Sequence, residues 1–452
     1  MSTFPEVLGE LFATFYPILI KPAIDFVERL WWLWLFIASF FLIKNLWLHY
    51  RRALYKKAIR WTLLEIQIPS EVRKSPKAME QVFAQIHSLR NTPNNWQDKY
   101  IAGEVTLWFS LEVVAFGGEE IHFYIRTPAR FRNIIEAHIY ASYKDVEVVE
   151  VADYVDRLPA KTNDLYRMGL EMMGLELALR RDDAYPIRTY MEYESMEEEK
   201  SLDPLSGLIE ILSKFKKGEQ LWLQILVKPV GSEWKEAGDK LVRELKEKSI
   251  SRVKIGKDEE TVTISRSPGE TAVIEAIEKN IAKSGFETII RYVYISPRSI
   301  FNWDLAFRGV RGAFTQYSTQ NLNSFRLILK TLTAVWWGKF PYFFPKKRRE
   351  ARKQAILRNY RMRRMPEEMG IGKAVNSQFF YWDTKSKSFI FNTEELATIF
   401  HPPSYLVLTA PFIKRVEAKR LGPPAGLEIF GEEEEVPGLQ IQDEGKNKEE
   451  KG

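Results

Sequence analysis

The 452-residue chain has no cysteine and only five histidines. Without cysteine there is no disulfide framework, no thiolate metal site and no thiol nucleophile. His49, His87, His122, His138 and His401 form neither H-E-x-x-H nor any clustered set, so spacing gives no metal centre. His138 falls on the apolar face of a predicted helix and reads as a core residue. No G-x-S-x-G elbow occurs. The nearest approach to a P-loop is Gly370-Ile371-Gly372-Lys373-Ala374. It has Glu367 where the first glycine is needed and Ala374 where a hydroxyl must hold Mg²⁺. The pair Glu119-Glu120 reads as a solvated hairpin tip, and Arg308 and Arg311, before Gly309 and Gly312, as solvated helix residues. The sequence therefore predicts no catalytic residue, no cofactor, no metal and no enzyme activity.

What is present is aromatic and basic. Aromatics make up 13% of the chain and hydrophobic residues 45%, enough to bury a core in two or three domains. The net charge of +6 is unevenly spread. Acidic residues gather at 194–199 and 432–435, basic ones at 51–60 and 346–364.

Residues 30–48 read LWWLWLFIASFFLIKNLWL. A helix needs about 20 mostly apolar residues to cross a bilayer. The stretch predicts a single transmembrane helix over about 30–50, with Trp31, Trp32, Trp34 and Trp47 at its two interfaces and Phe36, Phe40 and Phe41 within it. Arg51 and Arg52 follow, with Lys56, Lys57 and Arg60. The positive-inside rule then places the rest of the chain in the cytoplasm, on the inner membrane. Residues 4–20 predict an interfacial segment, so 1–55 reads as a membrane anchor.

Alternation at 61–68, 104–116, 121–126 and 145–151 predicts four strands. Two helices fall between them. One starts at Ser75-Pro76 with Met79, Val82, Phe83 and Ile86 on one face; the other follows Pro128. The order β-α-β-β-α-β is the ferredoxin-like arrangement, expected over 56–155. A second α+β domain of the same kind is expected over 160–335. Its strands are 169–178, 220–228 and 287–296, its helices 203–215 and 304–318, and it carries a helical insertion. Asp203 and Pro204 read as N-cap and N1 of the first of these helices. Residues 373–428 are expected to close this domain with a hairpin at 379–391 and a helix, before an acidic disordered tail over 429–452. The fold class is thus α+β, a transmembrane helix followed by two ferredoxin-like domains.

Between 160–335 and the closing segment 373–428 lies a basic aromatic segment, 336–372. Its cations Lys346, Lys347, Arg348, Arg349, Arg352, Lys353, Arg358, Arg361, Arg363 and Arg364 offer contacts to phosphate or anionic lipid. A solvated helix or flexible arm with no special partner reads equally well.

The stretches DPLSGLIEILSKFKKGEQLWLQILVKPV (203–230), FIFNTEELATIFHPPS (389–404) and APFIKRVEAKRLGPPAGL (410–427) resemble the membrane-anchored, non-motor region of bacterial type IV secretion and conjugation-type ATPases. Where that family continues into its ATP-binding core, this sequence runs into Glu432–Glu435 instead. The resemblance implies a non-catalytic scaffold or docking component of a secretion-like or DNA-transfer-like machine. Its partners would be the membrane, a separately encoded P-loop ATPase and further copies of itself. The alternative expectation is a membrane-tethered nucleic-acid-binding protein using 346–364.

Overall fold

The computed structural model describes residues 21–22, 28–29, 31–68, 74–118, 120–193, 202–248, 250–254, 260–264, 266–329, 331–333, 344–366 and 387–403. The first long element is helix α1 (Trp31–Ala58). The expectation of a transmembrane helix is corrected here. Among the described residues no helix is long and apolar enough to cross a membrane. Within the helix the apolar run from Trp31 ends at Ile43, before Lys44 and Asn45. Those residues rise about 20 Å, short of the roughly 30 Å of a bilayer core. The C-terminal half of α1 packs on the protein instead: Leu48 is buried, and the Trp47 indole donates to the Tyr100 carbonyl at 2.8 Å. Residues 4–20 lie outside the described residues.

Period-2 alternation builds the next layer. Strands β1 (Trp61–Gln67), β2 (Phe109–Phe116), β3 (Glu120–Pro128) and β4 (Glu147–Val151) pair antiparallel in the order β2-β3-β1-β4. Helices α2 (Lys77–Ser88) and α3 (Arg132–Ser142) complete a split βαβ unit. The same order recurs further on. Strands β5 (Leu170–Leu179), β6 (Gln220–Pro229), β9 (Gly285–Pro297) and β10 (Phe325–Leu327) run β10-β5-β9-β6. Their helices are α5 (Ser206–Ser213) and α8 (Val310–Thr315), and α4 (Thr162–Arg167) precedes β5.

Between β6 and β9 sits an insertion of α6 (Glu233–Lys248), the hairpin β7 (Ile250–Lys254) and β8 (Glu260–Ile264), and α7 (Pro268–Ile281). Ser267 and Glu270 form a capping box that sets the start of α7. Trp234, Val242, Ile274, Ile277 and Ile281 give the insertion its own small core.

The two units do not make separate sheets. Strands β2 and β6 pair antiparallel from Phe109↔Val227 to Phe116↔Gln220, joining them into one nine-stranded sheet. The ninth strand, β11 (Phe389–Asn392), extends the line of β5 by pairing with β9. It leads through the capping box of Asn392 and Glu395 into α10 (Thr393–Ile399). That helix does more than close the second unit. Lys283 bridges Glu394 of α10 (2.5 Å) and Glu80 of α2 (2.6 Å), and Phe400 meets Phe123 of β3. Residues 379–386 and 429–452 lie outside the described residues.

One face of the sheet carries Ile66, Val113, Phe123, Leu223, Ile225 and Tyr292, buried under α2, α3, α5, α8 and α10. Each such side chain stabilises the fold by about 1.5–3 kcal/mol relative to exposure. The other face is covered by α9 (Pro345–Arg361), whose Ile356, Leu357 and Tyr360 pack on Val114, Trp222 and Val293. The segment 336–372, set apart in the sequence by its charge, thus contributes a core helix. Gly174 allows the close approach: a Cβ there would stand 3.0 Å from two side-chain carbons of Ile356.

Candidate functional site

Under α9 a polar row crosses the sheet in register: Tyr124, Glu112, Gln224, Arg291 and Glu176 on β3, β2, β6, β9 and β5. All but Tyr124 are fully buried polar groups, so each needs a partner. Arg363 supplies the main one. Just past the end of α9 it takes φ +46°, the left-handed conformation common one residue beyond a helix. Its Nε and Nη2 donate to the two Glu112 oxygens at 2.9 and 3.0 Å, and Nη1 and Nη2 donate to Asp153 at 2.6 and 2.9 Å. Ser110, Tyr154 and Gln224 also donate to Glu112. Burial alone would raise the Glu112 carboxyl. The Arg363 charge and these hydrogen bonds overcome it and hold the group at about 2.

The clamp anchors the adjoining chain. The Trp108 indole donates to the Arg363 carbonyl at 2.8 Å, and Arg291 donates to the Arg364 carbonyl at 2.9 Å. Residues 362–366 are thereby held across one end of β2, β3 and β6. The C-terminal part of α1 comes to the same place. Its Arg51 donates to the Ile101 carbonyl in the π-helical turn Asp98–Ala102. Gly103, at φ +70°, lets that turn lie against α1, because a Cβ there would come within 2.4 Å of the Arg51 carbonyl carbon.

Between these walls is a cavity of about 740 Å³. That size suits a small ligand. Its cations are Arg52, Lys56 and Lys57 from α1, Lys99 from the turn, Arg126 from β3, Lys228 from β6 and Arg364. His49 joins them, and Glu104 is the one carboxylate among the described lining residues. Lys228 is paired with Glu287 at 2.5 Å. Glu104 accepts from Asn91 at 2.9 Å. Arg126 lies over the Trp61 ring at 4.4 Å, and Trp61 packs on Trp108. Burial, and then the Arg363 charge, push the Arg126 guanidinium down to about 10, so it stays protonated at neutral pH. The Nε of Arg52 is buried with no hydrogen-bond partner among the described residues. A donor left in that state costs free energy unless an acceptor reaches it.

The ten cations singled out from the basic segment are divided by this geometry. Arg352 is buried and donates to the Leu332 carbonyl at 3.3 Å. Lys353 is buried against Glu171 (2.6 Å) and Tyr166 (3.2 Å). Arg361 donates to the carbonyls of Val155 and Leu158 and to Asp156, and Arg363 is the clamp. Lys346, Lys347 and Arg358 are exposed, Arg348 and Arg349 half-buried, all on α9 and outside the cavity lining. Only Arg364 reaches the cavity. Of the residues expected in a membrane helix, Trp32, Phe36, Phe40 and Phe41 are exposed on α1, while the side chains of Trp31 and Trp34 lie outside the described residues. Arg52 lines the cavity. Lys99, Arg126, Lys228, Trp61 and Trp108 carry no local motif, and only the fold brings them to Arg52 and Arg364.

No curated protein matches the sequence. A family model does, over residues 44–413, from the middle of α1 through the last described helix. The match takes in every lining residue of the cavity. The chain belongs to the family described as Domain of unknown function (DUF8128).

Proposed function

We propose that this chain is a binding module whose cavity holds a compact ligand bearing several phosphoryl groups, and that it docks that ligand rather than transforming it. The observation that carries this reading is the convergence of seven lysines and arginines on one cavity, with a single carboxylate among its described lining residues. Glu287 offsets Lys228, and the summed field of so many cations on one cavity still favours an anion there. Arg52, Arg126 and Arg364 all line the cavity, and planar guanidinium groups suit phosphate oxygens.

The cations stand on several walls, from α1, the turn, two strands and the segment after α9. That arrangement encloses a compact anion. An extended nucleic-acid strand calls for a track of cations along its backbone. The exposed cations on α9 are the remaining place for such a strand, which keeps nucleic acid as the rival occupant. The reading does not depend on the resemblance to conjugation-type ATPases.

The test is calorimetric titration of the full chain with inorganic tripolyphosphate. Binding is expected, and Arg52→Gln and Arg126→Gln should each weaken it by about tenfold or more, the loss of a hydrogen bond to a charged group. Arg358→Gln, outside the cavity, should leave it unchanged. Failure to bind tripolyphosphate, or binding unaffected by both cavity variants, overturns the reading. An oligonucleotide that binds without competition from tripolyphosphate would place nucleic acid on α9 instead.

A further inference from the structure

The cavity does not end in solvent on all sides. Helix α1 forms one of its walls with His49, Arg52, Lys56 and Lys57, then continues away from it toward its N-terminus. Over Leu35–Ile43 that continuation is apolar and largely exposed: Phe36 is 67% exposed, Ile43 65%, Leu35 60% and Phe40 57%. From Ile43 to Arg52 is nine residues, about 14 Å of helix. A cationic pocket and a bare apolar surface therefore stand on one rigid element, one above the other. Monomeric proteins rarely leave so contiguous an apolar surface uncovered.

A ligand matching both parts must be anionic at one end and apolar at the other, about a phospholipid's length. We propose that the cavity binds the phosphate headgroups of anionic phospholipids, and that the exposed part of α1 lies against the acyl boundary of one leaflet, seating the protein on a membrane surface. The inference rests on the phosphate-binding reading and names the source of the phosphate. Two features favour a membrane surface over a soluble phosphate compound. The apolar residues lie on the wall that already supplies the cations. The signs are also complementary, because polybasic sites gain about 1 kcal/mol per charge near an anionic leaflet. Exposed Trp47, beside the cavity-lining His49 and Arg52, suits the headgroup level, where indoles accumulate.

The experiment is co-sedimentation of the full chain with vesicles. One set contains phosphatidylglycerol in phosphatidylcholine, the other phosphatidylcholine alone. The protein should pellet with the first set and stay largely in solution with the second, and soluble tripolyphosphate should compete. Arg52→Gln/Arg126→Gln should lower vesicle binding by about thirtyfold, at about fivefold for each lost charge. The variant Phe36→Ser/Phe40→Ser/Ile43→Ser changes only exposed positions. It should lose vesicle binding by about tenfold or more while its affinity for tripolyphosphate is unchanged. Equal binding to both vesicle sets, or full vesicle binding by the triple serine variant, overturns the inference. Tripolyphosphate binding without vesicle binding also overturns it and leaves the phosphate reading standing. Absence of both removes the two together.

Discussion

Arg363 and Glu112 are both buried and hold each other through two hydrogen bonds, 251 positions apart in sequence. Truncating one partner of such a pair leaves the other charge uncompensated, at a cost of about 3–5 kcal/mol. Arg363→Met should therefore destabilise the chain by that amount in chemical denaturation. The pH dependence gives a sharper readout. Glu112 is depressed from 4.5 to about 2 in the folded state. A depressed carboxyl contributes stability that is full above its unfolded value and fades as pH falls through the folded one. Wild-type stability should decline between about pH 5 and 2 by this contribution. In Arg363→Met, burial raises Glu112 against only the hydrogen bonds from Ser110, Tyr154 and Gln224, so the acid-side decline should shrink or reverse. Glu112→Gln/Arg363→Met should show neither slope. None of this is legible in the sequence alone. Arg363 reads there as one cation in a basic run, and Glu112 as a polar position in an alternating strand.

At the scale of elements, local pattern and packing part company. Met79, Val82, Phe83 and Ile86 are spaced for a helix face, and all four are buried in α2. The helix expected from Asp203 starts at Ser206, because the Asp203 carboxylate caps Leu205 at 2.8 Å and also accepts from His401 at 3.1 Å. The run 345–361 is plainly helical, yet its seat on the sheet depends on Gly174, a residue without a signature of its own. Gly174→Ala should push α9 outward and cost about 1–3 kcal/mol, and Ile356→Ala should recover part of that loss in a double-mutant cycle. Gly103 plays the matching part for α1. Gly103→Ala is strained by its positive φ and by its contact with the Arg51 backbone. It should loosen α1 from the turn and weaken tripolyphosphate binding while β2 and β6 keep their amide protection in hydrogen exchange. The apolar run over 30–48 shows the limit of composition. Its Trp47 is tied to Tyr100, and Arg51 just beyond it to Ile101, by hydrogen bonds that no hydropathy profile contains.

Across the whole molecule, the two βαββαβ units are joined through β2 and β6, and one buried cluster runs from Leu64 to Phe400 under a single sheet face. The units should accordingly melt together. Calorimetry is expected to give one transition, with calorimetric and van't Hoff enthalpies in agreement; two separated transitions would contradict a shared core. Alternation foretells the strands of each unit, since each strand is short and local. It does not foretell the edge-to-edge join, because both strands facing it are apolar on one side like any other. The same join positions the cavity: Arg126 and Lys228 stand on strands from different units, and Arg52 and Arg364 reach them from opposite parts of the chain. The most direct measurement of the central claim is an experimental structure of the full chain at saturating tripolyphosphate. The account predicts phosphate density inside the cavity, within hydrogen-bond reach of Arg52 and Arg126. An empty cavity with the anion bound along the exposed face of α9 would contradict it.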